Sequence, residues 1–317
     1  MAQQKTGRTT KIWRDGTLVD WSDATLHVMS HVVHYGSSVF EGMRCYETPS
    51  GGALFRAREH MRRLLDSSRI YRIPMTYSID DLVQGCSDTV AANELRECYI
   101  RPVVVRTGES MGVHSGNTPV EVFIICWVWE TYLGEKGRTN GVDVCVSSWR
   151  RAAPDTFPMM AKAGGNYINS QLSKMEAKLD GYSEGIMLDA NGHVAEGSGE
   201  NLFAVRDNVL YTAPIGAGIL NGITRDSIIR LAADMGLEVR QEFMPREFLY
   251  VVDELFFCGT AAEITPIKSV DRIPVGAGRP GEVTLAMQRE YMGIAHGTIP
   301  DRHGWLTMVP EPAAALR

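Results

Sequence analysis

The stretch Met159–Tyr167, MMAKAGGNY, places a single lysine among small residues just ahead of two glycines. Ala161, Ala163, Gly164 and Gly165 give Lys162 no side-chain cover, only the opportunity for close backbone approach. Two readings stand. Lys162 is a solvated loop residue, or it is an amine kept dry enough to lose its proton and form a Schiff base with an aldehyde.

The second reading is pyridoxal-phosphate chemistry. It requires a carboxylate for the pyridine nitrogen, an anion cradle for the phosphate and a phenol or similar group beside the ring oxygen. Glu196 and Glu200, in AEGSGENLF (195–203), fall in a glycine-rich bend between strands, where a carboxylate is either aimed inward or left in a solvated turn. NGITR (221–225) leads into a helix predicted over Arg225–Met235 and closed by Gly236, so the Ile223 and Thr224 amides would sit at the positive end of its dipole. An ordinary helix N-cap has the same appearance. Gly259-Thr260-Ala261-Ala262 repeats the logic at the end of the apolar strand Glu254–Cys258. A non-catalytic phosphate- or nucleotide-binding protein would use the Thr224 and Gly259 amides without the lysine.

At 317 residues the chain predicts roughly two domains. Residues 1–10 are polar and expected to be loose. Ile12–Val19 reads as a hairpin turning at Asp15-Gly16; His60–Tyr71 and Ser78–Ala91 have helical spacing, the latter with a Ser-x-x-Asp cap; Cys98–Arg106 and Val120–Trp129 are apolar strands. Between Gly134 and Gly141 the apolar pattern stops. The expected division is therefore a small α/β domain over 1–130, a linker over 131–141 and a larger domain over 142–317. In that second part Val142–Ser148, Gly185–Leu188, Val194–Ala195, Leu202–Val205 and Val209–Thr212 read as short strands.

A formal charge of −6 with scattered basic residues argues against a nucleic-acid partner. The longest apolar run, Val122–Trp129, is too short to span a bilayer, and the first residues carry no secretory h-region, so a cytosolic protein without a membrane partner is expected. Six cysteines lie far apart with no CxxC pair, which favours buried thiols over disulfides or zinc. His27, His31 and His34 have no carboxylate or cysteine beside them and read as a structural cluster, with no metal. Gly276–Gly281 (GAGRPG) matches G-x-G-x-x-G, but Pro280 is expected to break the helix that a dinucleotide site needs.

Taken together, HVMSHVVHYGSSVFEGMRCY (27–46), FRAREHMRRL (55–64), YIRP (99–102), AKAGGNY (161–167), EGSGENLF (196–203), NGITR (221–225) and GTAAEITP (259–266) resemble the branched-chain amino acid aminotransferases among the class IV, fold-type IV pyridoxal-phosphate enzymes. The resemblance runs from about Ile12 to about Trp305. It implies a two-domain fold of mixed α/β (α+β) type, with the cofactor between a small N-terminal α/β domain and a larger C-terminal β-barrel-like domain.

By the same resemblance, Lys162 carries pyridoxal 5'-phosphate as an internal aldimine and then acts as general acid–base. Glu196 keeps the pyridine nitrogen protonated, and Tyr167 bonds the ring oxygen. Arg58, the Ile223 and Thr224 amides, Gly259 and Thr260 hold the phosphate. Tyr35, Phe40, Gly42, Val113, Trp129 and Tyr132 resemble the family's substrate walls; Tyr99 and Arg101 face the same way from one strand, with Arg101 taking the glutamate carboxylate. Thr260 and Ala261 amides hold the α-carboxylate. The implied reaction is ping-pong transfer of the amino group from leucine, isoleucine or valine to 2-oxoglutarate, giving branched 2-oxo acids and L-glutamate. The same-fold alternative is a D-amino acid or (R)-amine transaminase. A homodimer or a higher homo-oligomer such as a hexamer is implied, with Met111–Val113 facing the partner. Met159-Met160 and Asn221 depart from the family pattern and bear on selectivity.

Overall fold

The computed structural model describes residues 9–109, 111–129 and 132–310. It divides into two compact units: the described residues of Met1–Trp129, Ala161–Gly165 and Ile294–Arg317, and those of Glu130–Met160 and Asn166–Gly293. The expected cut at 131–141 assigns Ala161–Gly165 to the larger domain. In the structure Ala163 bridges to Val39 in antiparallel fashion and the Lys162 amide donates to Ser67 Oγ at 3.0 Å, so the lysine segment belongs with the first unit.

In the first unit β1 (Lys11–Arg14) and β2 (Thr17–Asp20) form the expected hairpin, paired from Lys11↔Asp20 to Arg14↔Thr17. Asp15 at φ 44° and Gly16 at φ 92° supply the two positive dihedrals that a tight hairpin turn demands. Residues 1–8 of the expected loose start lie outside the described residues. Thr9 and Thr10 are anchored instead, to the Cys126 carbonyl and the Asn93 side chain. The sheet continues through β3 (Ser38–Phe40), β4 (Met43–Thr48), β5 (Gly51–Phe55), β6 (Cys98–Arg106) and β7 (Val120–Trp127), and a last short strand, Leu306–Met308, runs along β5. Against it pack α1 (His31–Tyr35), α2 (Ala57–Ile70) and α3 (Ile79–Ala92). Helix α3 starts where the cap predicts, with Ser78 and Asp81 each bonding the other's backbone N–H. Met61, Leu64, Leu82, Cys86 and Val90 bury the helix stripes against Ile100 and Ile124.

The stretch expected as linker contains α4 (Glu135–Asn140). The second unit then runs through β8 (Val142–Val146), α5 (Tyr167–Leu179), β9 (Glu184–Leu188), β10 (Val194–Gly197), β11 (Asn201–Arg206), β12 (Val209–Thr212), α6 (Ile223–Asp234), β13 (Val239–Gln241), β14 (Glu254–Gly259), β15 (Glu263–Val270) and α7 (Glu282–Ala295). Its strands pair in the order β10-β9-β8-β15-β14-β11, and β10 also pairs with β11 through Glu196↔Asn201, which closes the ring. The closed ring encloses a core of Val144, Ile186, Leu202, Phe257 and Ile267, while β12 and β13 branch off β11 outside it. The barrel-like second domain of a mixed α/β fold is thus present.

GAGRPG is followed directly by α7, contrary to the expectation from Pro280. The proline precedes the first helical residue, where its missing N–H costs nothing. The start of α7 is nevertheless no anion site. Glu254 caps it, accepting from the Val283 and Thr284 amides at 3.1 and 2.8 Å. All six cysteines are buried free thiols. No helix among the described residues is long and apolar enough to cross a membrane.

Candidate active site

In the first unit the lysine segment is laid down as an extra strand edge. Gly164 lets it approach Ser38, whose Oγ would lie 2.5 Å from an added Cβ, and Gly165 packs on Gly36. The glycines therefore make room for backbone. Lys162 is half-buried; its carbonyl accepts the Phe40 amide at 2.9 Å and its Nζ lies 4.9 Å from the centre of the Phe40 ring. Burial first, with the positive charges of Arg63 and Lys162, pushes the proton affinity of the buried His60 imidazole down against the pull of Glu41. The lysine amine thus sits by an aromatic ring, close enough to a buried histidine to weaken that group's hold on a second proton.

Strand β6 brings Tyr99 and Arg101 to one face, as alternation predicts. Arg101 lies over Phe40 at 4.7 Å, over Tyr99 at 5.3 Å and over Trp127 at 5.8 Å, and donates to the Tyr99 hydroxyl at 3.3 Å. Its Nε is buried without a hydrogen-bond partner. An aromatic box attracts a guanidinium through ring quadrupoles but satisfies none of its N–H donors. Trp129 packs edge-on against Tyr99 with ring centres 4.5 Å apart, and Gly42 lies so close under the Tyr99 hydroxyl that no Cβ fits. Phe40, Gly42, Tyr99, Arg101, Trp129 and Lys162 thus form one group. Tyr35 stacks on His31 at the periphery and is 42% exposed; Val113, at 85%, stands in solvent in this single chain.

Arg58 is not part of that group. It lies on the outer face of α2, with 62% of its side chain exposed, and pairs with Asp80. The stripe of α2 that turns inward carries His60, Arg63 and Ser67, spaced i, i+3 and i+7. Arg56 is buried too, but it stacks on Trp305 and pairs with Glu59. Sequence reasoning missed Arg63, Glu41 and Ser67; the helical stripe through His60, Leu64 and Ser67 was the available signal.

In the second unit Glu196 occupies the closing pair of the barrel. Arg151 Nη2 meets its Oε1 at 2.8 Å, while Asn201 Nδ2 and the Leu220 amide donate to its Oε2, each at 3.0 Å. The carboxylate is 5% exposed and fixed by three donors. Asn201 also donates to the Leu220 carbonyl, and its amide oxygen fills the space that a side chain at Gly222 would need, which ties Glu196 to the start of α6. That helix begins at Ile223, earlier than predicted, from Gly222 in extended conformation and with no side-chain cap. Ile223 and Thr224 are its first two residues, so their amides point outward at the positive end of the helix. Arg225 turns inward to the Ala213 carbonyl and the Gln241 side chain.

Glu200 is unlike Glu196. It is 4% exposed, accepts the Gly199 amide at Oε2, and has no partner at Oε1. Burial, with Glu184 and Glu196 nearby, pushes its carboxyl up to about 8. Gly259 packs over its backbone, with Thr260 and Ala261 in the turn between β14 and β15. Tyr132 is half-buried under Lys174, which also pairs with Glu184, and burial raises its phenol. Tyr167 opens α5. Of the three histidines read as a structural cluster, His31 bonds Ser37 and the Gly112 carbonyl and His34 the Val28 carbonyl, whereas His27 is exposed and lies 3.7 Å from the Glu109 carboxylate, a neighbour the cluster reading did not include.

The family model for amino-transferase class IV matches residues 38–270. A branched-chain-amino-acid aminotransferase of Salmonella typhimurium is 52% identical over 300 residues, 94% of this chain and 97% of that protein. The crystal structure of the Escherichia coli branched-chain amino acid aminotransferase superposes with a TM-score of 0.93 at 50% identity, covering 96% of this chain and 100% of its own. The branched-chain amino acid aminotransferase from Thermobaculum terrenum, in its PLP-bound holo-form, gives 0.90 at 36% identity, covering 95% and 99%. With matches of that extent, the chain belongs to the class IV aminotransferase family.

Proposed function

We propose that this chain is a pyridoxal-phosphate-dependent branched-chain aminotransferase that moves the amino group of leucine, isoleucine or valine to 2-oxoglutarate. The observation that carries the substrate class is Arg101, a guanidinium set among Phe40, Tyr99 and Trp127 with its buried Nε unpartnered. Apolar walls suit a branched side chain, and one guanidinium among them suits the second carboxylate of glutamate. A site for D-alanine or for a simple amine needs no such group.

The donor set fits pyridoxal phosphate: a half-buried lysine beside an aromatic ring, a carboxylate fixed by three donors, a phenol and a helix start without a side-chain cap. When bound, that cofactor supplies an aldehyde for the amino group and a ring that delocalises the charge left at the substrate Cα. Lys162 would be the residue that bonds the aldehyde and that carries the proton taken from the substrate Cα. Glu196 holds a proton at the ring nitrogen, and Tyr167 donates to the ring oxygen. The Ile223 and Thr224 amides, with Gly259 and Thr260, hold the phosphate. We assign the phosphate guanidinium to Arg63 in place of Arg58, because Arg63 shares the inward stripe of α2 with Ser67, which bonds the Lys162 amide. Thr260 and Ala261 take the α-carboxylate. Tyr35, Gly42, Trp129 and Tyr132 belong to the side-chain walls, together with Val113 of a second copy. The exposed Met111 and Val113, at 51% and 85%, support a homodimer as the working state, which we place in the cytoplasm.

Borohydride reduction of the holoenzyme tests the chemistry: the visible band should vanish and the cofactor mass should appear on Lys162. Lys162→Ala should keep its fold and lose transamination. No turnover of L-leucine with 2-oxoglutarate, beside turnover of D-alanine or an (R)-amine, would replace this reading by the alternative.

A further inference from the structure

Between Phe40 and Gly42 the chain carries Glu41, which is fully buried. Four donors converge on its carboxylate: Arg63 Nε on Oε1 at 2.5 Å, and Arg63 Nη2, His60 Nδ1 and the Gly42 amide on Oε2 at 2.9, 2.7 and 3.1 Å. Burial alone would raise this carboxyl, but Arg63 and His60 overcome burial and hold it well below the usual range. His60 must therefore present its proton from Nδ1. The Glu41 backbone joins the same node, since its amide donates to the Pro102 carbonyl on the strand of Tyr99 and Arg101.

Stability does not explain a carboxylate here. A buried ion pair roughly breaks even against well-packed apolar residues, whereas its geometry is far stricter. What it fixes is specific. Phe40 on one side bonds the Lys162 carbonyl, Gly42 on the other underlies Tyr99, and Arg63 is gripped along the Nε/Nη2 edge of its planar fork.

We propose that Glu41 is a positioning residue, which holds the Arg63 guanidinium at the phosphate of the cofactor. This rests on the assignment of Arg63 to the phosphate. Glu41 itself touches neither substrate nor cofactor; it acts by restricting Arg63 to one orientation that an anion can meet without further ordering.

The test separates the phosphate from the rest of the cofactor. Apoprotein, wild type and Glu41→Gln, is titrated with pyridoxal 5'-phosphate and with pyridoxal, which lacks the phosphate, and the visible band gives each Kd. Glutamine keeps the shape and removes the charge. The expected result is pyridoxal phosphate weakened at least about tenfold, with pyridoxal changed less than about threefold. Equal weakening of both would mark Glu41 as merely structural and overturn the proposal. Arg63→Lys, which retains the charge but loses the fork, covers the case of a Glu41→Gln protein that does not fold. It should lose the same preference, and full retention of it also overturns the proposal. A wild-type protein that binds the two aldehydes equally would instead remove the phosphate assignment of Arg63, and this inference with it.

Discussion

Adding one methyl group at Gly42 should separate the two halves of the amino-transfer reaction. A Cβ there would overlap the Tyr99 hydroxyl and come within 2.7 Å of its Cζ. Apolar contact requires about 3.5 Å, so the hydroxyl, 1.8 Å from the added Cβ, must retreat by roughly 1.5 Å and the ring carbon Cζ by roughly 1 Å. It has little room to do so: Tyr99 is 4% exposed, with Trp129 and Trp127 at ring separations of 4.5 and 5.1 Å. Overpacking of this kind costs about 1–3 kcal/mol, which thermal unfolding of Gly42→Ala will register. The functional effect follows from Arg101, whose Nη2 donates to the displaced hydroxyl at 3.3 Å and whose guanidinium lies over the same ring. A misplacement of about 1 Å in a group that orients substrate costs on the order of a hundredfold. Single-turnover kinetics of the holoenzyme with glutamate and with leucine, read separately, should show the glutamate half-reaction reduced by about that factor and the leucine half-reaction reduced much less. Equal losses in both, or none, would refute the chain of contact from Gly42 through Tyr99 to Arg101.

Glu200→Gln should change how stability depends on pH. The buried Glu200 carboxyl is pushed up to about 8 from an ordinary 4.5, so its stabilising proton is fully present below about 4.5 and is lost as pH rises through about 8. Chemical unfolding across that window should show a flatter decline in the variant, by up to a few kcal/mol, and an unchanged slope would contradict a neutral Glu200. Arg58→Ala removes only an exposed ion pair with Asp80, so it should cost less than about 1 kcal/mol and leave binding of pyridoxal phosphate intact; a tenfold loss of cofactor affinity would restore Arg58 to the site.

Elements bounded by strong local chemistry were legible in the sequence. Strands β6 and β12 lie over the residues read for them, and the β1–β2 turn and the α3 cap follow from Asp15-Gly16 and Ser78. Helix α5 was missed for a physical reason. Its inward face carries Ser170, Ser173 and Ala177, while Ile168, Met175 and Leu179 lie outside, so the usual apolar stripe is inverted. Small residues are needed because Gly185 of β9 approaches so closely that an added Cβ would lie 2.6 Å from Ser173 Oγ. The arginines of FRAREHMRRL failed differently. Arg58 and Arg63 are five residues apart, about 140° around a helix, so one must face away whenever the other faces in. Only the buried stripe through Met61, Leu64 and Ser67 decides which.

The acidic residues make the same point for chemistry. Glu196 and Glu200 lie four residues apart in one glycine-rich bend, and by type and spacing either could serve a pyridine nitrogen. What separates them is the number of donors. Glu196 has Arg151, Asn201 and the Leu220 amide, whereas Glu200 has one amide and an oxygen with no partner. Glu41, with four donors, stays ionised in complete burial; Glu200, about equally dry, does not until about pH 8. Burial penalises Glu41 and Glu200 alike, so the donors and charges around each decide which can hold a charge: Arg63 and His60 at Glu41, against the neighbouring Glu184 and Glu196 carboxylates at Glu200. Those donors come from segments up to 45 residues away in sequence, as Arg151 does to Glu196. A motif names the acid, but the fold around it sets whether that acid holds a proton or a charge.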